Sequence, residues 1–294
     1  MCKPAGEVAN VTQLESHTTR ARAMMLWRIL NGALEWDARA VEILYQSTLD
    51  SIAEAWCVSH YAVSGYVAAA RTEVYAADLA PAVVKQAVRF TETLPQPQQV
   101  QADVLLLAAE IAELGDPTLI ETAQRALQSL TVAPVVMSSG ALAYSLGALD
   151  AAREQAARVA ALIAASGARL VIADGSQTLW ALCRIFPLLG VALPDHVIVK
   201  SLSEYLAESA SALPQFPGRK AFAHDSRSAA LLADRLARPE AIQPGFRGDE
   251  AALGTGSNYD APRRLIDAMS MERTYSVWSR ALSRSSGADD GLLR

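Results

Sequence analysis

The chain has 294 residues, 26 Lys and Arg against 31 Asp and Glu, and three cysteines. At about 100–200 residues per domain this length allows two or three domains, enough for a sizeable core. A net charge of −5 without a basic run excludes an electrostatic nucleic-acid footprint, and 51% apolar against 19% charged residues excludes a disordered chain.

No stretch approaches about 18 uninterrupted apolar residues, so no transmembrane segment is expected. Residues 1–17 lack the basic-then-apolar order of a secretory signal, and the scattered Cys2, Cys57 and Cys183 form no disulfide framework. A cytoplasmic setting is the expectation. Three thiols also cannot supply a four-thiolate iron–sulfur cluster.

A helical domain is expected over 18–93. Its first helix stops at Asn31-Gly32, with Ala23, Trp27 and Leu30 on the apolar side. Asp37 is a plausible cap for a longer helix with Val41, Leu44, Thr48, Ile52 and Ala55 near one face. A third pattern runs from Val63 to Tyr75, and Pro81 breaks the chain after it. The polar, proline-containing stretch at 94–100 reads as a linker.

Beyond it, Val104–Leu107, Ala133–Met137, Leu170–Ala173 and Val197–Val199 are strand candidates. Asp116-Pro117 opens a helix with Ile120, Ala123, Leu127 and Leu130 on one face. The next helix turns Leu149, Ala152, Ala156, Val159 and Ile163 inward, with Asp150, Glu154 and Arg158 four apart outside. Ser201-Leu202-Ser203-Glu204 is a capping box. Strands alternating with helices imply an α/β fold with short parallel strands under covering helices, over 101–212. A weaker α/β portion follows over 218–294, with a strand at Lys220–Ala223, a helix at Ser226–Ala237 and another near Ala261-Pro262.

Several patterns invite chemistry. Cys57 and His60 are spaced like two zinc ligands, but no second pair completes a four-ligand site. His224-Asp225-Ser226 holds the residue types of a hydrolytic triad, yet neighbours on a strand point to opposite faces. Gly254-Thr255-Gly256 has no expected strand before it and so lacks the dinucleotide-binding context. Cys183 reads as a small core residue, and Trp27, Trp36, Trp56, Trp180 and Trp278 as core or interface anchors. Ser138-Ser139-Gly140 reads first as turn punctuation and second as an anion site of backbone N–H groups.

Several segments together carry a family likeness. Met137-Ser138-Ser139-Gly140-Ala141-Leu142 is followed by a long helix to Ser166-Gly167-Ala168, then Val171-Ile172-Ala173-Asp174-Gly175-Ser176, Phe186-Pro187-Leu188-Leu189-Gly190 and Ser201–Glu204. Ala223-His224-Asp225-Ser226-Arg227, Asp260-Ala261-Pro262-Arg263-Arg264-Leu265-Ile266 and Ser285-Ser286-Gly287 come after it in order. This order resembles the iron–sulfur subunit of glycolate oxidase and the related heterodisulfide reductase subunits, with their cysteine-cysteine-glycine (CCG) domains. Gln46 through Val58 is similar to the family's ferredoxin-type cluster loop. Cys57 keeps one ligand position there, and Ser47, Asp50 and Ala53 stand at the other three. Ser138, Ser139, Ser176, Arg227, Ser285 and Ser286 occupy the family's remaining cysteine positions.

Serine is hard to ionise and a poor soft ligand, and arginine cannot ligate at all. The expectation is therefore a cluster-less scaffold without a catalytic residue, resident cofactor or metal. The missing proline after Cys57 suggests that the helix from Asp37 runs on through the former loop. The resemblance implies a non-catalytic subunit that assembles or docks a flavoprotein dehydrogenase subunit and a ferredoxin-type iron–sulfur subunit. It would touch a membrane at most through those partners. An electron-transfer subunit whose cluster is completed by partner cysteines and Cys57 is one alternative. Another is an α/β enzyme with its site near Ser138–Gly140 and Asp174–Ser176.

Overall fold

A computed structural model describes residues 7–49, 57, 59, 61–97, 99–114, 120, 127, 132–202, 204–205, 221–224 and 251–254. A short helix α1 (Glu7–Thr12) and a single 3₁₀ turn (Glu15–His17) lead into α2 (Thr19–Leu30), where the Thr18 hydroxyl accepts the Ala21 N–H. Asn31 and Gly32 end α2 as the sequence implies, Gly32 having φ +69°.

The inward face of α2 differs from the expectation. Arg22 and Leu26 are the buried residues, while Trp27 is 59% and Leu30 81% exposed. Burying Arg22 is tolerable because its guanidinium donates to the carbonyls of His17 at 2.7 Å and Ile43 at 3.1 Å. Trp27 is thus not a core anchor.

Asp37 caps α3 (Ala38–Tyr45), accepting the Ala40 N–H at 2.7 Å, and Val41 and Leu44 are buried. The helix does not continue as expected. It ends at Tyr45, Thr48 lies beyond it, and Leu49 takes a left-handed φ of 56°. The cause is Arg71, fully buried on α4 (Val63–Ala76), whose Nη2 collects the carbonyls of Leu44, Tyr45 and Ser47 at 3.0, 3.2 and 2.6 Å. A guanidinium gathering the last carbonyls of a helix favours its termination there. Pro81 ends the turn after α4 and begins α5 (Ala82–Thr93). Ile52 and Ala55 lie outside the described residues.

Four strands follow: β1 (Val104–Leu107), β2 (Val132–Val135), β3 (Leu170–Ala173) and β4 (Ile198–Ser201). They form one parallel sheet in the order β2-β1-β3-β4. The fold is α/β, and each apolar run in the sequence marks one strand to within a few residues. Between the strands lie α6 (Ala109–Leu114), α7 (Ala141–Ser145) and α8 (Leu149–Ser166). A continuous helical rod then comprises α9 (Ser176–Trp180), a π-turn stretch (Ala181–Ile185) and α10 (Phe186–Leu188).

On α8, Ala152, Ala156, Val159 and Ile163 are buried, and Arg158 pairs with Glu154 at 3.2 Å outside. Strand residues alternate as the pleat requires. Leu105, Leu107, Val171 and Ala173 enter the main core, while Leu106 and Ile172 meet Leu127 on the opposite face. The main core draws on residues either side of 94–100, from Leu26 and Leu44 to Ile163 and Val199. Of the helix expected after Asp116, only Ile120 and Leu127 are described. Two further strands, β5 (Ala221–His224) and β6 (Ala251–Gly254), pair in parallel. The strand expected at Lys220–Ala223 is β5, one residue later.

Candidate functional site

In the order β2-β1-β3-β4 the chain leaves β1 toward one side and returns as β3 on the other. The carboxyl ends of β1 and β3 therefore mark the position at which open α/β sheets generally bind ligands. Here that position holds acids. The Glu110 N–H donates to Thr178 Oγ1 at 3.1 Å, and the Thr178 hydroxyl donates to Asp174 Oδ1 at 2.6 Å. The N–H of Gln177, in the first turn of α9, donates to Glu110 Oε2 at 3.1 Å. Gly175 closes the arrangement, because a Cβ there would strike the Glu110 carboxyl.

Enclosure first, and the Asp174 charge second, push Glu110 up to about 8, partly opposed by the Gln177 N–H. Burial and the neighbouring Asp174 thus favour the protonated, neutral form of the Glu110 carboxyl. The group thus joins α6 to the start of α9, and a phosphate placed there would meet two carboxyl groups instead of bare N–H donors. Its chemical capacity is to hold or release one proton.

The turn after β2 carries Ser138 and Ser139, 4% and 1% exposed. The Ser138 hydroxyl donates to Gln155 Oε1 at 2.6 Å and accepts the Gly140 N–H at 3.1 Å. Gln155 Nε2 passes the chain on to Thr91 Oγ1 at 2.8 Å, tying the turn to α8 and α5. Ser139 accepts the Ala141 N–H at 3.4 Å. Gly140 is required here: its φ is +82°, and a Cβ would lie 2.6 Å from the Ala152 carbonyl oxygen.

Ser176 begins α9, which packs against α6 and α7, so the turns after β2 and β3 belong to neighbouring elements. Beyond β4 the expected capping box forms. The Ser201 N–H donates to Glu204 Oε2 at 2.7 Å, and the Glu204 N–H donates to Ser201 Oγ at 3.0 Å. Ser47 uses its carbonyl for Arg71 and its hydroxyl for the Leu49 N–H at 3.2 Å. Cys57 is half-buried.

Ser138 and Ser139 thus present hydroxyls already drawn into the fold, a poor match for iron, which prefers thiolate. Asp50, Ala53, Arg227, Ser285 and Ser286 lie outside the described residues, as do His60, Asp225 and Ser226. Cys183 is half-buried against the core, and Trp180 is buried edge-on to Tyr144. Among the described residues, no group of three or more His, Cys, Asp and Glu side chains is placed to hold a metal ion. The expectation that no strand precedes Gly254 needs correction, since β6 runs to that glycine; Thr255 and Gly256 lie outside the described residues.

Sequence reasoning missed Glu110, Gln155 and Arg71. Arg71 left a signal, standing on the same helical stripe as Val63, Val67 and Val74. Glu110 left a weaker one, as an acid three residues past a buried strand. Comparison with protein-family models, curated proteins and solved structures finds no match.

Proposed function

We propose that this chain is a non-catalytic, cluster-less subunit of a flavin and iron–sulfur oxidoreductase complex. It is similar in plan to the glycolate oxidase and heterodisulfide reductase iron–sulfur subunits, and it serves assembly or partner docking. The observation that carries this reading is the Ser138–Ser139–Gly140 turn. On the resemblance these are the two seats of a CCG cysteine pair; the Ser138 hydroxyl donates to Gln155, which reaches Thr91, and both serine hydroxyls accept backbone N–H groups. Without redox centres, electrons cannot hop through the chain, and what remains is shape.

The test is purification of the tagged full chain from its native cells under anaerobic conditions. A flavin-bearing subunit and an iron–sulfur subunit should co-elute at fixed stoichiometry. Elution of the chain alone as a monomer overturns the reading.

A second reading, an α/β enzyme, draws on the Glu110–Thr178–Asp174 group at the sheet's carboxyl edge. An acid whose pKa is raised, as that of Glu110 is, occurs at catalytic sites as well as in structural networks. On that reading Glu110→Gln abolishes a turnover that the wild-type chain shows by itself. On the docking reading the same change alters only stability against pH.

A further inference from the structure

His17 ends the 3₁₀ turn that joins α1 to α2, and it is only 3% exposed. Its Nδ1 lies 2.8 Å from the hydroxyl of Thr12, the last residue of α1. That hydroxyl gives its one proton to the Val8 carbonyl at 2.8 Å, so toward His17 it can only accept. The imidazole therefore carries its proton on Nδ1 and leaves a bare lone pair on Nε2. This Nε2 is enclosed and has no hydrogen-bond partner among the described residues. The ring is neutral in this state, and its bond to Thr12 ties α1 to the turn.

A second proton has no good place to go. It would sit on Nε2, where the enclosed N–H finds no acceptor among the described residues. It would also set a charge beside Arg22, whose buried guanidinium donates to the His17 carbonyl at 2.7 Å. Among the described residues the charges that act on the ring come from α2 and α3. They are Arg22, and Arg39 with Glu42, which pair with each other at 2.6 Å. Glu15 on the turn itself is exposed, and Glu7, the charged residue of α1, stands at the far end of that helix. Enclosure first, then Arg22 and Arg39, hold the imidazole below its ordinary range, with Glu42 opposing them.

We propose that α1 and the 3₁₀ turn form an acid-released latch on α2, with His17 as its proton sensor. Above the ordinary histidine value of 6.5 the latch is fully closed. As pH falls through that value the open state, whose imidazole stands in water, binds the proton first and gains on the closed one. The Thr12 bond and the bond from Arg22 to the His17 carbonyl are then lost together. The turn and α1 leave α2, while α3 and α4 keep their places. The latch needs no redox partner and is independent of the docking role proposed above.

Amide hydrogen exchange on the full chain reads the latch directly, with α8 as an internal reference. The reporters are the N–H groups of Gln13, His17 and Thr18, which donate to the carbonyls of Ala9, Leu14 and Glu15. Between about pH 7.5 and about pH 5.5, corrected for intrinsic exchange, their protection should fall several-fold, by about tenfold at most, with α8 unchanged. His17→Asn keeps an N–H donor near the Nδ1 position without a group that titrates there, and should abolish the change. His17→Lys sets a permanent charge in the same place and should leave the reporters unprotected at both pH values.

A fall of less than about twofold overturns the proposal, because a proton-linked latch cannot be that flat across the histidine range. So does an equal fall in His17→Asn, or a fall that α8 shares. If neither variant folds, the His17 imidazole titration in the wild-type chain, followed by nuclear magnetic resonance, decides. A midpoint below 6.5 that coincides with loss of reporter protection supports the latch, and one at or above 6.5 overturns it.

Discussion

Helices α2 and α8 are both amphipathic, yet α2 buries a cation beside its apolar residues and leaves a tryptophan outside. On α8 the small and branched residues Ala152, Ala156, Val159 and Ile163 are buried, and the Glu154–Arg158 pair lies outside. On α2 Leu26 joins the main core with Arg22 buried beside it, and Trp27 and Leu30 are exposed. The core accepts only hydrocarbon from those positions of α8, whereas the ground under α2 also offers carbonyl oxygens from His17 and Ile43, which suit a guanidinium. Which side of an amphipathic helix is buried is decided by what the neighbouring elements present.

If that contrast is right, the buried cations of the helical layer bear more of the stability than its exposed aromatics. Arg71 is the strongest case, with Nη1 on the Ser145 carbonyl at 3.0 Å, Nη2 on the end of α3, and its guanidinium over the Tyr45 ring at 5.1 Å. Arg71→Met leaves these enclosed carbonyls without a donor and should cost about 3 kcal/mol or more, read from urea denaturation. Ile163→Ala on α8 should cost about 2–4 kcal/mol by the same measurement.

The acid group gives a pH signature. The Glu110 pKa rises from 4.5 to about 8 on folding, so the folded state binds the extra proton within that window. The contribution of this group to stability is fully present below the lower value and is lost as pH rises toward the upper one, by at most about 1.4 kcal/mol per pH unit. Glu110→Gln should flatten this slope, checked by denaturation at a series of pH values. Ser138→Ala leaves Gln155 and the Gly140 N–H short of a partner and should cost about 1–2 kcal/mol. Trp27→Gln should change stability by no more than about 0.5 kcal/mol, because its ring already faces water. A loss comparable to that of Ile163→Ala would erase the contrast between the two helices.

Much of the sheet was legible in the sequence. Val104–Leu107 and Leu170–Ala173 are short apolar runs set off by turns, and both are buried strands as expected. The Ser201–Glu204 capping box was legible because its bonds span only three residues. Features fixed by distant partners were not. The end of α3 depends on Arg71, about two turns into another helix, and the inward face of α2 depends on carbonyls of the 3₁₀ turn and α3. Glu110 owes its raised pKa first to burial and second to Asp174, 64 positions along the chain, while the Gln177 N–H, 67 positions along, opposes the shift. The bond from the Ser138 hydroxyl to Gln155 depends in the same way on a residue 17 positions along the chain.

The most direct test of the central claim is the iron and acid-labile sulfide content of the full chain, purified anaerobically after reconstitution with iron and sulfide. The account predicts background iron and sulfide and no visible absorption. Four iron and four sulfide per chain, with a paramagnetic signal on reduction, would contradict it.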